Sequence, residues 1–166
     1  MKKSLSGTFI PDEVSSVVGR FILRFGYCEF LLLTYYNEIH DDAGKAIQFL
    51  EATLRRRVGL LKGEIGKLTL KKDDRKALLD LLSRIEQLAH KRNLVCHNPY
   101  MTIPLGHGKH HGGAIFGARA AVKGSGDQGA VAEFSDLVAF DESAARLQAD
   151  LHQLFPVFQS ALPPKH

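Results

Sequence analysis

The sequence predicts a mainly α-helical domain, a four-helix bundle with a small antiparallel β-hairpin inserted between the third and last helices. Apolar residues repeat at spacings of three and four over long segments, which is the period of one helix face. Between residues 100 and 140, short apolar runs alternate with glycine-rich turns, a pattern typical of a hairpin. The 166 residues, 45% hydrophobic, suit one domain with a continuous core, so we expect residues 1–166 to fold together.

The first helix is predicted over residues 12–40. Its apolar positions step by four and three residues without a gap, at Val14, Val18, Phe21, Phe25, Cys28, Leu32, Tyr35 and Ile39. Phe30 and Leu33 widen this stripe, so the helix should be central in the bundle. Gly19 and Gly26 each weaken a helix by about 1 kcal/mol relative to alanine, but glycine also lets a neighbouring helix approach closely.

Two further helices are predicted before the hairpin. The second covers residues 43–68, where apolar residues repeat at Ile47, Leu50, Leu54, Val58, Leu61, Ile65 and Leu68. The third begins after Lys72 with Asp73 as its cap, since acidic residues are favourable at the positive end of a helix dipole. Pro99 should end it because proline disfavours the helical conformation in the preceding residue, which leaves Cys96 and His97 in the last turn.

The hairpin and the last helix complete the predicted fold. Residues 101–105, 114–122 and 130–138 are the apolar runs that predict two or three strands. Asp141 should cap the last helix, whose apolar positions are Ala144, Leu147, Leu151, Leu154 and Phe158. Pro156 should kink or end this helix, and the tail at residues 163–166 is expected to be disordered.

The cysteines and the absence of a long apolar stretch predict a soluble, cytoplasmic protein. Cys28 and Cys96 both lie in apolar helical patterns, which suits buried thiols in a reducing compartment better than a disulfide. The start of the chain, with Lys2 and Lys3, resembles a signal peptide, but Pro11 comes before any apolar run forms. No stretch approaches the roughly 18 apolar residues of a membrane span, so we expect no membrane partner.

Basic residues are concentrated in one part of the chain. Between Glu51 and Lys76 there are nine basic and four acidic residues, a local balance of +5 against +4 for the whole chain. Arg55, Arg56 and Arg57 could follow a phosphate backbone and bind RNA. The alternative is an ordinary solvated helix face.

Arg92 occupies a position where the third helix should have an apolar residue. Reading back at helical spacing gives Leu88, Ile85, Leu81 and Leu78, and reading forward gives Val95. A guanidinium cannot lose its proton, so this position needs a carboxylate, a phosphate or an open pocket. Glu29, with uncharged neighbours on the first helix, is the hypothesised partner that orients Arg92, unless it lies exposed at the rim of the bundle.

A polar stripe lies beside Arg92 on the same helix. Glu86, His90, Asn93 and His97 follow one another at spacings of four, three and four. Two copies facing each other across a two-fold axis would bring two arginines and two histidines into one cleft. Alternatively, Arg92 forms a structural salt bridge and His97 caps the carbonyl groups at the helix end.

The Arg-Asn-x-x-x-His motif of Arg92, Asn93 and His97 resembles the signature of the HEPN (higher eukaryotes and prokaryotes nucleotide-binding) superfamily. The resemblance implies a metal-independent endoribonuclease without cofactors, working as a homodimer through the third helix. Arg92 would bind the scissile phosphate, His97 would move the proton and Asn93 would position one of them. Attack of the 2′-hydroxyl on phosphorus would leave a 2′,3′-cyclic phosphate and a 5′-hydroxyl.

Two features leave the biological role open. Many toxins of this superfamily have a tyrosine two residues after the histidine, a position that is Pro99 here, although Tyr100 could still line the cleft or stack on a base. A toxin–antitoxin role with an antitoxin partner is therefore one expectation, and a non-catalytic helical module that binds nucleotide, RNA or a protein partner is the alternative.

The histidine-rich residues 106–113 could bind a transition metal, but glycines surround them, so we expect a flexible hairpin tip and no metal.

Overall fold

The computed structural model describes residues 12–97, 100–105, 110–116 and 131–164. In chain order these ranges contain α1 Asp12–Ile39, α2 Ala43–Glu51, α3 Leu54–Lys67, α4 Lys72–His97, β1 Tyr100–Leu105, β2 His110–Phe116, β3 Val131–Glu133 and α5 Phe134–Ser160. The prediction of a mainly helical protein is confirmed. None of the described helices combines the length and the apolar character needed to cross a bilayer.

The three strands connect the end of α4 to the start of α5. β1 pairs antiparallel with β2, so that Tyr100 is opposite Ile115, and β2 pairs antiparallel with β3, so that Ala114 is opposite Glu133. The strand order is β1-β2-β3. Since α4 ends at His97 and β1 begins at Tyr100, the sheet follows directly from the end of α4 that carries the motif.

The predicted second helix is wrong in two respects. It is two helices, and Ile47 and Leu50 of its predicted apolar face are 56% and 49% exposed, while Phe49 is the buried residue of α2. α2 ends at Glu51, Ala52 has an extended backbone (φ −70°, ψ 148°), and Thr53 caps α3 by accepting a hydrogen bond from the Arg56 backbone N–H at 3.4 Å. The apolar repeat runs in phase from Leu50 to Leu54 across the break. Helical periodicity alone therefore could not reveal it.

The last helix begins earlier than the sequence predicts. α5 starts at Phe134, where a capping box joins Glu133 and Asp136, and the Glu133 backbone N–H donates to the Asp136 carboxylate at 2.9 Å. Asp141 is therefore not a cap but a buried residue inside the helix, 6% exposed. The helix also continues past Pro156 to Ser160. In the predicted tail, residues 163–164 have irregular backbone and residues 165–166 lie outside the described part.

The core forms where α1 packs along α5, with α3 and α4 closing the other side. The largest fully buried side chains include Phe21, Phe25, Leu32, Phe49, Leu61, Ile65, Ile85, Leu147, Leu151 and Phe158. At the α1–α5 contact the Tyr35 hydroxyl donates to the Leu151 carbonyl oxygen at 2.7 Å, and burial raises the pKa of Tyr35 above its ordinary value. α1 therefore packs against α5, α3 and α4, but the predicted widening of its apolar stripe is wrong at Phe30, which is 57% exposed.

Candidate functional site

Arg92 lies where α4 meets α1 and α3. Its Nη2 atom is 3.8 Å from the Glu29 Oε1 atom, and its guanidinium carbon lies 5.4 Å from the centre of the Phe25 ring. The two charged side chains are 29% and 25% exposed. The structure thus brings Arg92 and Glu29 together as hypothesised, but at the edge of the core and open to solvent rather than within it.

The Arg92 guanidinium keeps its hydrogen-bonding capacity. A charge-assisted N–H to carboxylate bond spans roughly 2.7–2.9 Å, so the 3.8 Å contact to Glu29 attracts without forming such a bond. Within the described part of the chain, no hydrogen bond from this guanidinium is found. Its planar set of N–H donors therefore remains available to an incoming oxyanion, while Glu29 and Phe25 restrict where it can point.

Arg57 on α3 approaches the same carboxylate as Arg92 but also donates hydrogen bonds to backbone carbonyl groups. Its Nη1 atom is 3.9 Å from Glu29 Oε1, its Nε–H donates to the Ala52 carbonyl oxygen at 2.9 Å, and its Nη2 donates to the Leu50 carbonyl oxygen. These bonds satisfy carbonyl groups that the end of α2 leaves without partners. Of the three arginines predicted to bind RNA, Arg55 and Arg56 are exposed, whereas Arg57 is turned inward.

An ion pair sets the register between α3 and α4. Lys62 Nζ lies 2.7 Å from Glu86 Oε2, on two helices joined by the short connection at residues 68–71. Further along the two helices, Arg57 of α3 and Arg92 of α4 both approach Glu29 Oε1, at 3.9 and 3.8 Å. The exposed basic turn of α3 and the motif of α4 thus lie at one end of the bundle. Glu86, which the sequence places on the stripe of His97, serves helix packing instead.

Asn93 and His97 are both exposed on the last two turns of α4. His97 is the final residue of the helix. Arg92 and His97 differ by about 140° around the helix, and in the described chain no hydrogen bond joins them. Tyr100 is the first residue of β1, and its side chain lies outside the described part.

A groove between α4 and α5 was not foreseen from the sequence. It has a volume of about 410 Å³ and is lined by Arg84, Gln87, Leu88, Lys91, Ala139, Phe140, Ser143 and Arg146. Arg84 pairs with Asp150 at 2.6 Å, and Arg146 lies 3.9 Å from Glu142. Lys91 has no described carboxylate partner, and its ammonium lies 5.2 Å from the centre of the Phe140 ring. The groove therefore presents positive charge above an apolar floor.

Asp141, predicted to cap the last helix, is instead a charged residue buried between α1 and α5. Arg20 Nε lies 3.1 Å from one of its carboxylate oxygens, and Arg24 Nη1 lies 2.6 Å from the other. A signal was present, since Asp141 falls in phase with the buried positions Leu137 and Ala144. This cluster ties α1 to α5, on a different face of α1 from Glu29.

Comparisons with protein-family models, with curated protein sequences and with solved structures found no match. Any functional assignment therefore depends on the motif and on the contacts around it. Within the described ranges, no group of three or more histidine, cysteine or acidic side chains is placed to hold a metal ion. His110 and His111 lie in β2, and His107 falls outside those ranges.

Proposed function

We propose that the protein is a metal-independent endoribonuclease with a HEPN-like four-helix bundle, a hairpin insertion at residues 100–140 and a site shared between two copies of the chain. One observation supports this most strongly. Arg92 interrupts the buried stripe of α4 and lies against Glu29 and Phe25, and among the described residues its guanidinium has no hydrogen-bond partner, while Asn93 and His97 lie exposed on the same helix end. Arg57, by contrast, donates hydrogen bonds to two backbone carbonyl oxygens.

The proposed reaction needs one fixed cation and one proton carrier. Arg92 binds two oxygens of the scissile phosphate and stabilises the charge that builds up on them. A neutral His97 imidazole takes the proton of the 2′-hydroxyl, whose oxygen then bonds to phosphorus as the bond to the 5′-oxygen breaks. The protonated imidazole of the partner's His97 gives a proton to that 5′-oxygen. The products are a 2′,3′-cyclic phosphate and a 5′-hydroxyl.

The substrate class follows from the charge at this end of the bundle. Arg92 and Arg57 share the single carboxylate of Glu29, which leaves an excess positive charge. Arg55 and Arg56 extend it along the exposed side of α3. An RNA strand whose scissile phosphate is bound at Arg92 could place neighbouring phosphates on this turn, so binding should weaken as salt concentration rises.

RNA cleavage in EDTA tests the proposal. We expect the wild type to cleave a fluorescent RNA but not the matching DNA, because DNA lacks the attacking 2′-hydroxyl. His97→Ala and Arg92→Ala should each lower the rate by about 100-fold or more. His90→Ala is the matched control, since His90 is another exposed histidine of α4. Equal rates for wild type and His97→Ala would contradict the proposal.

The α4–α5 groove favours one alternative, a non-catalytic helical module. Its volume of about 410 Å³ falls in the size range of small-ligand sites, and Lys91, on its wall, has no carboxylate partner among the described residues. If purified protein cleaves no RNA but binds a nucleotide, and Lys91→Ala weakens that binding, the module is the better description. The antitoxin partner and the cytoplasmic location stay predictions.

A further inference from the structure

The outward face of α1 carries large apolar side chains in solvent. Leu23 is 76% exposed, Phe30 57% and Tyr27 40%. Gly19 and Gly26 lie on the same face, and a Cβ atom built on either would meet no described heavy atom within 4 Å. The Tyr27 ring lies 5.7 Å from the His152 ring of α5, so α5 covers one edge of this face. Leu23 and Phe30 remain large exposed apolar side chains on α1, and such faces mark contacts with other molecules.

This face alternates small and large residues with a heptad-like spacing. Gly19, Leu23, Gly26 and Phe30 follow at intervals of four, three and four, and they fall within a sector of about 60°. In a parallel pair of α1 helices, glycine would face glycine and phenylalanine would face phenylalanine. In an antiparallel pair centred between Arg24 and Phe25, Gly19 faces Phe30 and Leu23 faces Gly26. Every large side chain then packs over a glycine of the partner.

We propose that α1 packs antiparallel against α1 of a second copy of this chain in that register, the Gly19–Phe30 seam. The pattern matches itself only after reversal, which is the requirement of a two-fold contact between identical helices. A different partner helix would not need this symmetry. The outer face of α4, by contrast, exposes the polar residues Gln87, His90 and Asn93. The main contact therefore lies on α1, not on the third predicted helix.

The register also decides where the two motifs lie. Glu29 is about 60° beyond Gly26, at the edge of the seam. A two-fold axis perpendicular to both helices puts the two Glu29 residues on the same side of the dimer, roughly 14 Å apart along the helix direction by the rise of 1.5 Å per residue. Each Glu29 holds its own Arg92, so both guanidiniums open toward one side. This link to catalysis rests on the proposed function; the seam itself does not.

Sedimentation velocity across a concentration series tests the seam without RNA. We expect the wild type to be dimeric, and Leu23→Glu and Gly26→Leu to raise the dissociation constant at least about tenfold. Gly26→Leu has room within the chain and improves helix propensity, so a misfolded chain would not explain the loss. Ile47→Glu, at a 56% exposed position of α2, and Gly63→Leu, at an open glycine of α3, should stay dimeric.

The exchange variant Leu23→Gly/Gly26→Leu is the sharper test. It keeps a small residue opposite a large one in every layer, so it should restore the dimer that Gly26→Leu loses. A monomeric wild type, a fully dimeric Gly26→Leu protein or a monomeric exchange variant would each overturn the seam.

RNA cleavage rates of the same variants distinguish the proposed α1 dimer from the proposed ribonuclease activity. Loss of cleavage in Gly26→Leu and its return in the exchange variant would support both the seam and the ribonuclease activity. A dimer that follows the expected pattern but never cleaves RNA would support the seam and overturn the ribonuclease. Full cleavage by a monomeric Gly26→Leu protein would support the seam as an interface and overturn the shared site.

Discussion

Two carboxylates of this protein each lie between two arginines, and the two clusters differ in geometry. Asp141 receives Arg24 at 2.6 Å and Arg20 at 3.1 Å, on separate oxygens, and is 6% exposed. Glu29 has Arg92 at 3.8 Å and Arg57 at 3.9 Å, both facing the same oxygen, with a side chain 25% exposed. Hydrogen bonds join both arginines to the carboxylate of Asp141, whereas the two arginines beside Glu29 approach its carboxylate at longer distances.

The difference separates a structural charge cluster from a candidate site. At Asp141 the arginine N–H groups meet the carboxylate directly, so the cluster fastens α1 to α5 and leaves no oxygen unmatched. At Glu29 one arginine, Arg57, is fixed by carbonyl groups at the end of α2, and the other, Arg92, has no hydrogen-bond partner among the described residues. An arginine that is positioned but unbonded is suited to bind a phosphate, and a fully bonded one is not.

The two free thiols give the largest expected contrast. Cys28 is buried at the α1–α5 contact, with Sγ 3.9 Å from the Ala144 carbonyl oxygen, while Cys96 is exposed beside His97. We expect Cys96 to react with a thiol reagent near pH 8 at least about 1,000-fold faster than Cys28, which must wait for the helices to open. In urea both should react at similar rates. Equal rates in the native protein would show that the α1–α5 contact is not closed.

Burial also makes the same contact sensitive to alkaline pH. Desolvation, and secondly the Glu29 charge, raise the pKa of the Cys28 thiol from 9.0 to about 12. Because the folded state disfavours the thiolate, the stabilisation is complete below pH 9.0 and is lost as pH rises toward about 12. Urea midpoints measured across this range should fall with pH, and the fall should be shallower in Cys28→Ala.

Asp141→Ala should produce the largest loss of stability by substitution. It leaves Arg20 and Arg24 without a counter-charge at the α1–α5 contact. Because both arginines are partly solvated, we expect a loss of about 2–3 kcal/mol in the free energy of unfolding, measured by urea denaturation. Glu142→Ala, the exposed neighbour, should cost below about 0.5 kcal/mol. Similar losses of stability for the two variants would contradict the claim that the hydrogen bonds of Asp141 to Arg20 and Arg24 stabilise the α1–α5 contact.

Sequence periodicity predicted the helices whose apolar pattern is long and uninterrupted. The bounds of α1 agree within one residue, at 12–40 predicted and Asp12–Ile39 observed. The break at Ala52 was missed because the repeat stays in phase across it. The start of α5 was missed because residues 130–138 form an apolar run that a strand or a buried helix could equally produce.

The sequence also predicted the places of the charged residues only in part. Arg92 and Asp141 both interrupt a buried stripe, but only Arg92 was recognised, since Asp141 also fitted the preference for acidic residues at helix starts. Arg55, Arg56 and Arg57 together span about 200° of a helix, so at least one had to face inward. Which one does so depends on the end of α2, a tertiary contact that the sequence of α3 does not contain.

Glu29→Gln tests the cluster of Glu29, Arg57 and Arg92 and should have the smallest effect on stability. The amide keeps the shape but removes the charge that faces Arg57 and Arg92, so we expect a loss of about 1 kcal/mol in the free energy of unfolding. If Glu29 positions Arg92, kcat for RNA cleavage should fall about tenfold with little change in KM, because the transition state depends most on that geometry. Glu13→Gln, an exposed acidic residue of the same helix, is the control. A Glu29→Gln protein with unchanged stability and unchanged kcat would remove Glu29 from the site, and Arg92 would then be oriented by Phe25 packing alone.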